Sequence, residues 1–197
     1  PQEIDIVYVS LQSGKHFELK PAAEPNDDDL PMQGTYILSA GMKYAEYCAC
    51  LTRTLLVDCG AIQKEAYSLA LAVQEHVVAS LTPGVVFKTV YLSARERVQK
   101  SNPGLLDRFV KNVGFVMGIE FKDPQLVLAE KCDRKVLKGM TFCVSIGFND
   151  TTSSPPWAVW LCDTVIVEAG GCKVPTDICS KRAEDVQYEI DENGEEP

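Results

Sequence analysis

The side chains with the most chemistry to offer are thiols. Cysteine occurs eight times, at 48, 50, 59, 132, 143, 162, 172 and 179, and histidine twice, at 16 and 76. A thiolate can act as a nucleophile or ligate zinc. A nucleophilic thiol needs an imidazole within reach, and neither histidine is placed to serve. His16 lies in the turn-like run Gln12-Ser-Gly-Lys-His16, and His76 falls on the polar side of a helical stretch. Cys48 and Cys50 alternate along a strand pattern, so both thiols point to one face. Two thiolates alone do not complete a tetrahedral zinc site. Cys143 sits in the apolar run Thr141-Phe-Cys-Val144, which reads as packing. Free thiols in a reducing compartment follow, rather than disulfides. Gly114 and Gly118 are not followed by Lys-Ser or Lys-Thr, so no phosphate-cradling loop is expected.

These groups must be held by ordinary globular elements. The chain has 197 residues, 46% hydrophobic and 24% charged, enough to bury a core without staples. A strand pattern covers 4–11, and a Pro/Asn/Asp-rich loop covers 20–33. Strands are expected at Thr35–Ser39, Tyr44–Cys50 and Arg53–Val57, with Gly41 turning between the first two. Ala66, Leu69, Ala70, Val73, Val77 and Leu81 recur at helical spacing over 61–81. Thr82-Pro-Gly84 stops that helix, an amphipathic helix follows over 85–100, and a short one over 105–111. Met140–Phe148 reads as a central strand, and Trp157–Leu161 and Thr164–Val167 as two short ones. From Lys181 the pattern dissolves into acids. This order gives the α+β class, a mostly antiparallel sheet with helices on one face.

The net charge of −9 is concentrated at one end: residues 184–197 hold seven acids and no base, and the remainder carries −2. No basic stripe marks a nucleic-acid surface, and no apolar run approaches the roughly 18 residues of a membrane helix. The acidic run suits a basic partner or plain solvation.

Five stretches share one order: Ser39-Ala-Gly41, Cys50-Leu-Thr-Arg-Thr54, Gly114-Phe-Val-Met-Gly-Ile-Glu120, Gly139-Met-Thr-Phe-Cys-Val-Ser145 and Cys162-Asp-Thr164. Together they resemble the five metal-ligand motifs of the pita-bread metallopeptidases: methionine aminopeptidase, prolidase and creatinase. In those enzymes Asp, Asp, His, Glu and Glu stand where this chain has Ser39, Cys50, Phe115, Ser145 and Cys162. The interval between Ser39 and Cys50, eleven residues, matches that between the two aspartates. Two metal ions held by carboxylates and an imidazole generate hydroxide and clamp a tetrahedral intermediate. Ser39 and Ser145 are neutral oxygens, Phe115 binds no metal, and two thiols are insufficient. The resemblance therefore implies no catalytic residue, no metal and no cofactor. Lys122-Asp123, where the peptidases often carry a His-Glu pair, reads as an exposed turn. Arg53 of Thr-Arg-Thr is implied to brace the scaffold through a charge-assisted bond.

Further wording narrows the likeness. Leu11-Gln-Ser-Gly14, Glu18-Leu-Lys20, Tyr47-Cys-Ala49, Arg53-Thr-Leu-Leu-Val-Asp58, Pro103-Gly-Leu-Leu106, Lys111-Asn-Val-Gly-Phe115 and Met117-Gly-Ile-Glu-Phe121 resemble the N-terminal aminopeptidase-like domains of the FACT histone chaperone large subunit. The stretch 149–156 is shorter and richer in Ser, Thr and Pro than is usual there. The expected fold is pita-bread: a curved, mostly antiparallel sheet with helices on one face. Residues 1–181 would form a catalytically dead lobe, with the preceding N-terminal lobe lying outside the chain, and 182–197 an acidic linker. The resemblance implies nuclear, chromosomal residence, work in transcription, replication and repair, and weak contact with histones through basic tails. The small subunit would be met through other domains, with no direct nucleic acid and no membrane. Candidate binding residues are Glu184, Asp185, Glu189, Asp191 and Glu192. The old cleft, lined by Cys50, Phe115 and Cys162, would hold an extended segment by backbone pairing. An active hydrolase and a scaffold that binds nothing are the other readings.

Overall fold

The two alternating stretches after residue 34 fold as one long hairpin. In the computed structural model, which describes residues 4–24 and 29–190, strand β1 is Ile4–Gln12, β2 Gly34–Tyr44 and β3 Tyr47–Val57. The β2–β3 turn is not at Gly41. It is formed by Ala45 (φ 44°) and Glu46 (φ 70°), a two-residue loop with both positions left-handed, which matches the right-handed twist of its strands. Such turns usually advertise themselves by Asn or Gly, and here neither is present. Gly41 instead lies in mid-strand, where the ring of Tyr8 occupies the space a Cβ would need.

The remaining strands are β4 (Asn112–Met117), β5 (Val127–Ala129), β6 (Thr141–Asp150), β7 (Trp157–Glu168), β8 (Gly171–Lys173) and β9 (Gln187–Tyr188). Seven run in the order β1-β2-β3-β7-β6-β4-β5, with β8 on β7 and β9 on β3. Every pairing is antiparallel except β3–β9. Helices α1 (Ala61–Ser80) and α2 (Phe87–Ser101) cover one face. Tyr67, Val73 and Val77 of α1 and Phe87 and Val90 of α2 share a core with Phe142, Ile146, Phe148 and Leu161. Strands β6 and β7 are covered on both faces, hence their near-continuous apolar sequence. The helices do not screen the hairpin edge, where Ile6, Val9 and Leu38 stay exposed.

The helical spacing over 61–81 holds: its six apolar positions are all buried. His76 is not on a solvated face; it is half-buried, with Nε2 3.1 Å from Ser93 Oγ of α2. The short helix is a 3-10 turn over Pro103–Arg108, capped by Asn102, whose side chain accepts from Gly104 N at 2.9 Å. No described helix is long and apolar enough to cross a membrane.

Two corrections concern polar residues inside the fold. Trp157–Glu168 is one strand rather than two; Asp163, which lies between the two expected strands, is 1% exposed and fully partnered. Arg53 donates to Asp163 Oδ1 at 2.8 Å, and to the Cys162 and Cys179 carbonyls. Lys181 reaches Asp163 Oδ2 at 2.8 Å, and Thr176 donates to Oδ1 at 2.7 Å. This network pins the segment after β8, and the packed lobe continues past 181. Helix α3 (Ala183–Val186) buries Val186, and β9 extends the sheet beside Leu56 and Val57. The residues read as an acidic linker thus include, at 183–188, part of the folded lobe.

Asp150 closes β6. Burial opposes its charge, but hydrogen bonds from Thr152, Arg108 and Ser153 outweigh burial and hold its carboxyl down at about 2. Its folded value lies below the unfolded value near 3.9, so its contribution is complete above that value and is lost as pH falls toward 2. Asp150→Asn is expected to cost about 2 kcal/mol at pH 7 and progressively less below pH 4, read by urea unfolding across pH.

Candidate functional site

The sheet face turned away from the helices carries two rows of mostly short side chains. Cross-strand pairing puts Ser10, Ser39, Thr52, Cys162 and Ser145 in one row across β1, β2, β3, β7 and β6. The adjacent row runs Tyr8, Gly41, Cys50, Thr164, Cys143, Phe115. Thr164 Oγ1 ties β7 to β3, accepting from Cys50 N and donating to Cys50 O, both at 2.9 Å. All five positions singled out by the motif frame therefore meet on one patch, spread over five strands. Alternation along each strand turns them to the same face.

The patch is packed, not hollow. Cys50, Cys143 and Cys162 cluster with Phe17, Phe115, Met117 and Trp160, each no more than 4% exposed. Trp160 donates its indole N–H to Ser145 Oγ at 2.7 Å, and Ser39 Oγ lies 2.8 Å from Ser10 Oγ. Hydrogen bonding to Cys162 and Cys50, then burial, push the Cys143 thiol well above its ordinary range. Burial first, and then the three neighbouring cysteines, drive the Tyr8 phenol far up as well. A loop seals the rim: Phe121 meets the Tyr8 ring edge-on at 5.4 Å and the Phe115 ring at 5.9 Å. Lys122 is exposed as expected, with Nζ 5.2 Å from the Phe115 centroid, within cation–π range.

This donor set does not suit a pair of divalent cations. The Ser39 and Ser145 hydroxyls are neutral and already paired, with Ser10 and with the Trp160 indole, and the aromatic member Phe115 supplies no lone pair. Among the described residues no three His, Cys, Asp or Glu side chains stand together as a metal site. The cleft that would have held an extended segment between Cys50, Phe115 and Cys162 is closed by its own side chains.

Sequence reasoning missed Tyr8 and Phe17, which arrive from a remote segment, Phe121, from the loop after β4, and Trp160, two residues from Cys162 on β7 and so on its face. Cys143 was within reach, since it alternates with Ser145 on β6 and so shares its face. The acidic candidates lie elsewhere. Glu184 and Asp185 pair with Arg182 at 3.0 Å, and Glu189 with Lys64 at 3.1 Å. Hydrogen bonds from Ser180 and Arg182 lower the Asp185 carboxyl. Asp191 and Glu192 lie outside the described residues.

Residues 7–169 match the model of metallopeptidase family M24. The chain is 35% identical, over 98% of its length, to the FACT complex subunit SPT16 of Zea mays, of which it covers 19%; it thus spans about a fifth of that relative. The solved N-terminal domain of FACT complex subunit SPT16 from chickpea superposes with a TM-score of 0.90 at 36% identity, over 95% of this chain and 46% of that one. An X-Pro aminopeptidase from Thermotoga maritima superposes at 0.78 with 20% identity, over 94% of this chain and 50% of that one, a likeness of fold alone.

Proposed function

Because the chain belongs to metallopeptidase family M24 and, within it, to the N-terminal domains of FACT complex subunit SPT16, we propose that it is a non-catalytic binding domain of a histone chaperone complex. Its place is the nucleus and the chromosome, in the nucleosome reorganisation that accompanies transcription, replication and repair. Its own contact is with histones, weak and through their basic tails; the small subunit is met by other parts of the longer protein. The observation that carries the non-catalytic reading is the packed cleft, where Phe115, Trp160 and three thiols, each no more than 3% exposed, fill the space a substrate and two cations would need. Support for the histone reading is the family membership and the acidic end, whose carboxylates attract basic segments over about a Debye length.

Truncation is a poor test of the acidic end, since Val186 and β9 belong to the packed lobe. Neutralisation in place is better: Glu184→Gln, Asp185→Asn, Glu189→Gln, Asp191→Asn and Glu192→Gln together. Anisotropy titrations with labelled histone tail peptides are expected to show affinity that falls with salt in the native chain, and about tenfold weaker binding in the variant. Equal affinity would remove the acidic end from the account. Absence of any histone binding would leave the scaffold reading, and chelator-sensitive turnover of a dipeptide would restore the hydrolase.

A further inference from the structure

The chain is acidic as a whole, yet one end of the molecule carries the opposite sign. The segment 131–138 holds Lys131, Arg134, Lys135 and Lys138. Its backbone is fastened to the start of α2: Lys88 N donates to Cys132 O at 2.9 Å, Phe87 N to Arg134 O at 2.8 Å, and Gly84 N to Val136 O at 2.8 Å. Lys88 therefore stands beside the segment. All five bases are exposed, and among the described residues none is in an ion pair. Glu130 and Asp133 oppose them there, which leaves a surplus of three positive charges on a chain of net charge −9. Two features set this end apart from ordinary solvated surface. Lys88 lies in the first turn of α2, which holds no acid, so a cation sits where the helix dipole disfavours one. Leu137 is 58% exposed in the midst of the bases. The turn that presents Leu137 and Lys138 is closed by Met140 N donating to Leu137 O at 3.2 Å, with Gly139 left-handed at φ 85°. Pro83, also exposed, lies on the adjoining turn 82–85.

We propose that this end of the molecule binds an acidic peptide segment that carries a bulky apolar side chain. Carboxylates of the segment pair with Lys88, Lys131, Lys135 and Lys138, and Arg134 takes one of them through both prongs of its guanidinium. The apolar side chain covers Leu137 and Pro83. A single exposed ion pair contributes little, but several cations meeting one chain of opposite sign attract it together. A nucleic acid fits less well: its evenly charged backbone has no use for Leu137 and is repelled by Glu130 and Asp133. The surface is opposite in sign to the carboxylates at 184–192 and takes a different partner, so it stands whether or not those bind histone tails.

The test uses the intact chain and a labelled, end-blocked nonapeptide with leucine at its centre and aspartate at every other position. Anisotropy titrations should show saturable binding that weakens as salt is raised. Arg134→Gln, Lys135→Gln and Lys138→Gln together should weaken it about tenfold. Lys15→Gln, Arg97→Gln and Lys100→Gln together remove the same charge elsewhere, and should leave affinity within about twofold of the native chain. Leu137→Ser should weaken binding about threefold without altering its salt dependence. All seven positions are exposed, so the variants should melt with the native chain. Equal weakening by the two triple variants would overturn the inference, because net charge alone would then account for the binding. Unchanged binding by Leu137→Ser would overturn it too, as would a single-stranded oligonucleotide of matched charge bound more tightly than the nonapeptide, which would make this end a nucleic-acid surface. Absence of saturable binding at low salt would reject it outright.

Discussion

Asp163→Asn is expected to lower the unfolding free energy by about 3–5 kcal/mol, read as a shift of the urea midpoint at constant slope. The substitution is nearly isosteric and removes only charge. What it leaves is the issue. Arg53 and Lys181 both point at Asp163, at 2.8 Å each, with side chains 9% and 19% exposed. Breaking a buried pair strands the partner in low dielectric, and here two cations are stranded. Arg53 keeps its carbonyl acceptors at Cys162, Thr176 and Cys179, so the site would not collapse outright. The segment 175–188 would loosen, because its attachment runs through Lys181, Thr176 and the Cys179 carbonyl. Proteolysis should then cut in that segment before the global transition. The double variant Asp163→Asn with Lys181→Met should recover part of the loss, since one stranded charge is gone. A loss below about 1 kcal/mol would mean that the network is solvent-screened like a surface pair.

The same network shows where reading the chain worked and where it could not. Helical spacing found α1 to within a residue, because a helix buried along one stripe writes a period into its sequence. The strand content of 34–57 was legible but the hairpin was not: its turn falls inside the strand read at Tyr44–Cys50, because left-handed Ala45 and Glu46 carry no glycine or asparagine signal. The two short strands expected over 157–167 are one, and the Asp163 between them is buried and paired. Its cations come from residues 53 and 181, and pairing at such separation leaves no local trace. The candidate site behaves in the same way. The five motif positions were legible through resemblance, and strand alternation gathers them onto one face. That the face is filled depends on Phe17 and Phe121, brought in by loops, and on Trp160, whose place on the Cys162 face follows only once 157–168 is one strand.

Cys162→Glu should make the domain's stability strongly pH-dependent, and in a direction that identifies the cause. The glutamate would face the packed patch, 2% exposed at this position, beside Thr52 and Ser145. Arg53 cannot serve as its partner: it bonds the Cys162 carbonyl and the side chain of Asp163, and adjacent strand residues point to opposite faces. A carboxyl buried without a counterion is raised from about 4.3 to about 7 or higher. The folded state then holds a proton that the unfolded chain releases, so stability falls as pH rises between the two values. The charge penalty is nearly absent at pH 4 and about 4 kcal/mol at pH 7. Overpacking by the longer side chain adds about 1–3 kcal/mol at every pH, which makes the pH-dependent part the clean measure. If the patch instead retained room and polarity for cations, the glutamate would ionise freely. Manganese, cobalt or zinc would then raise the melting temperature of the variant. A flat pH profile with a metal-induced rise would sink the packed-cleft account, because a face filled by Phe115, Trp160 and neutral thiols can supply neither the water nor the space that result demands.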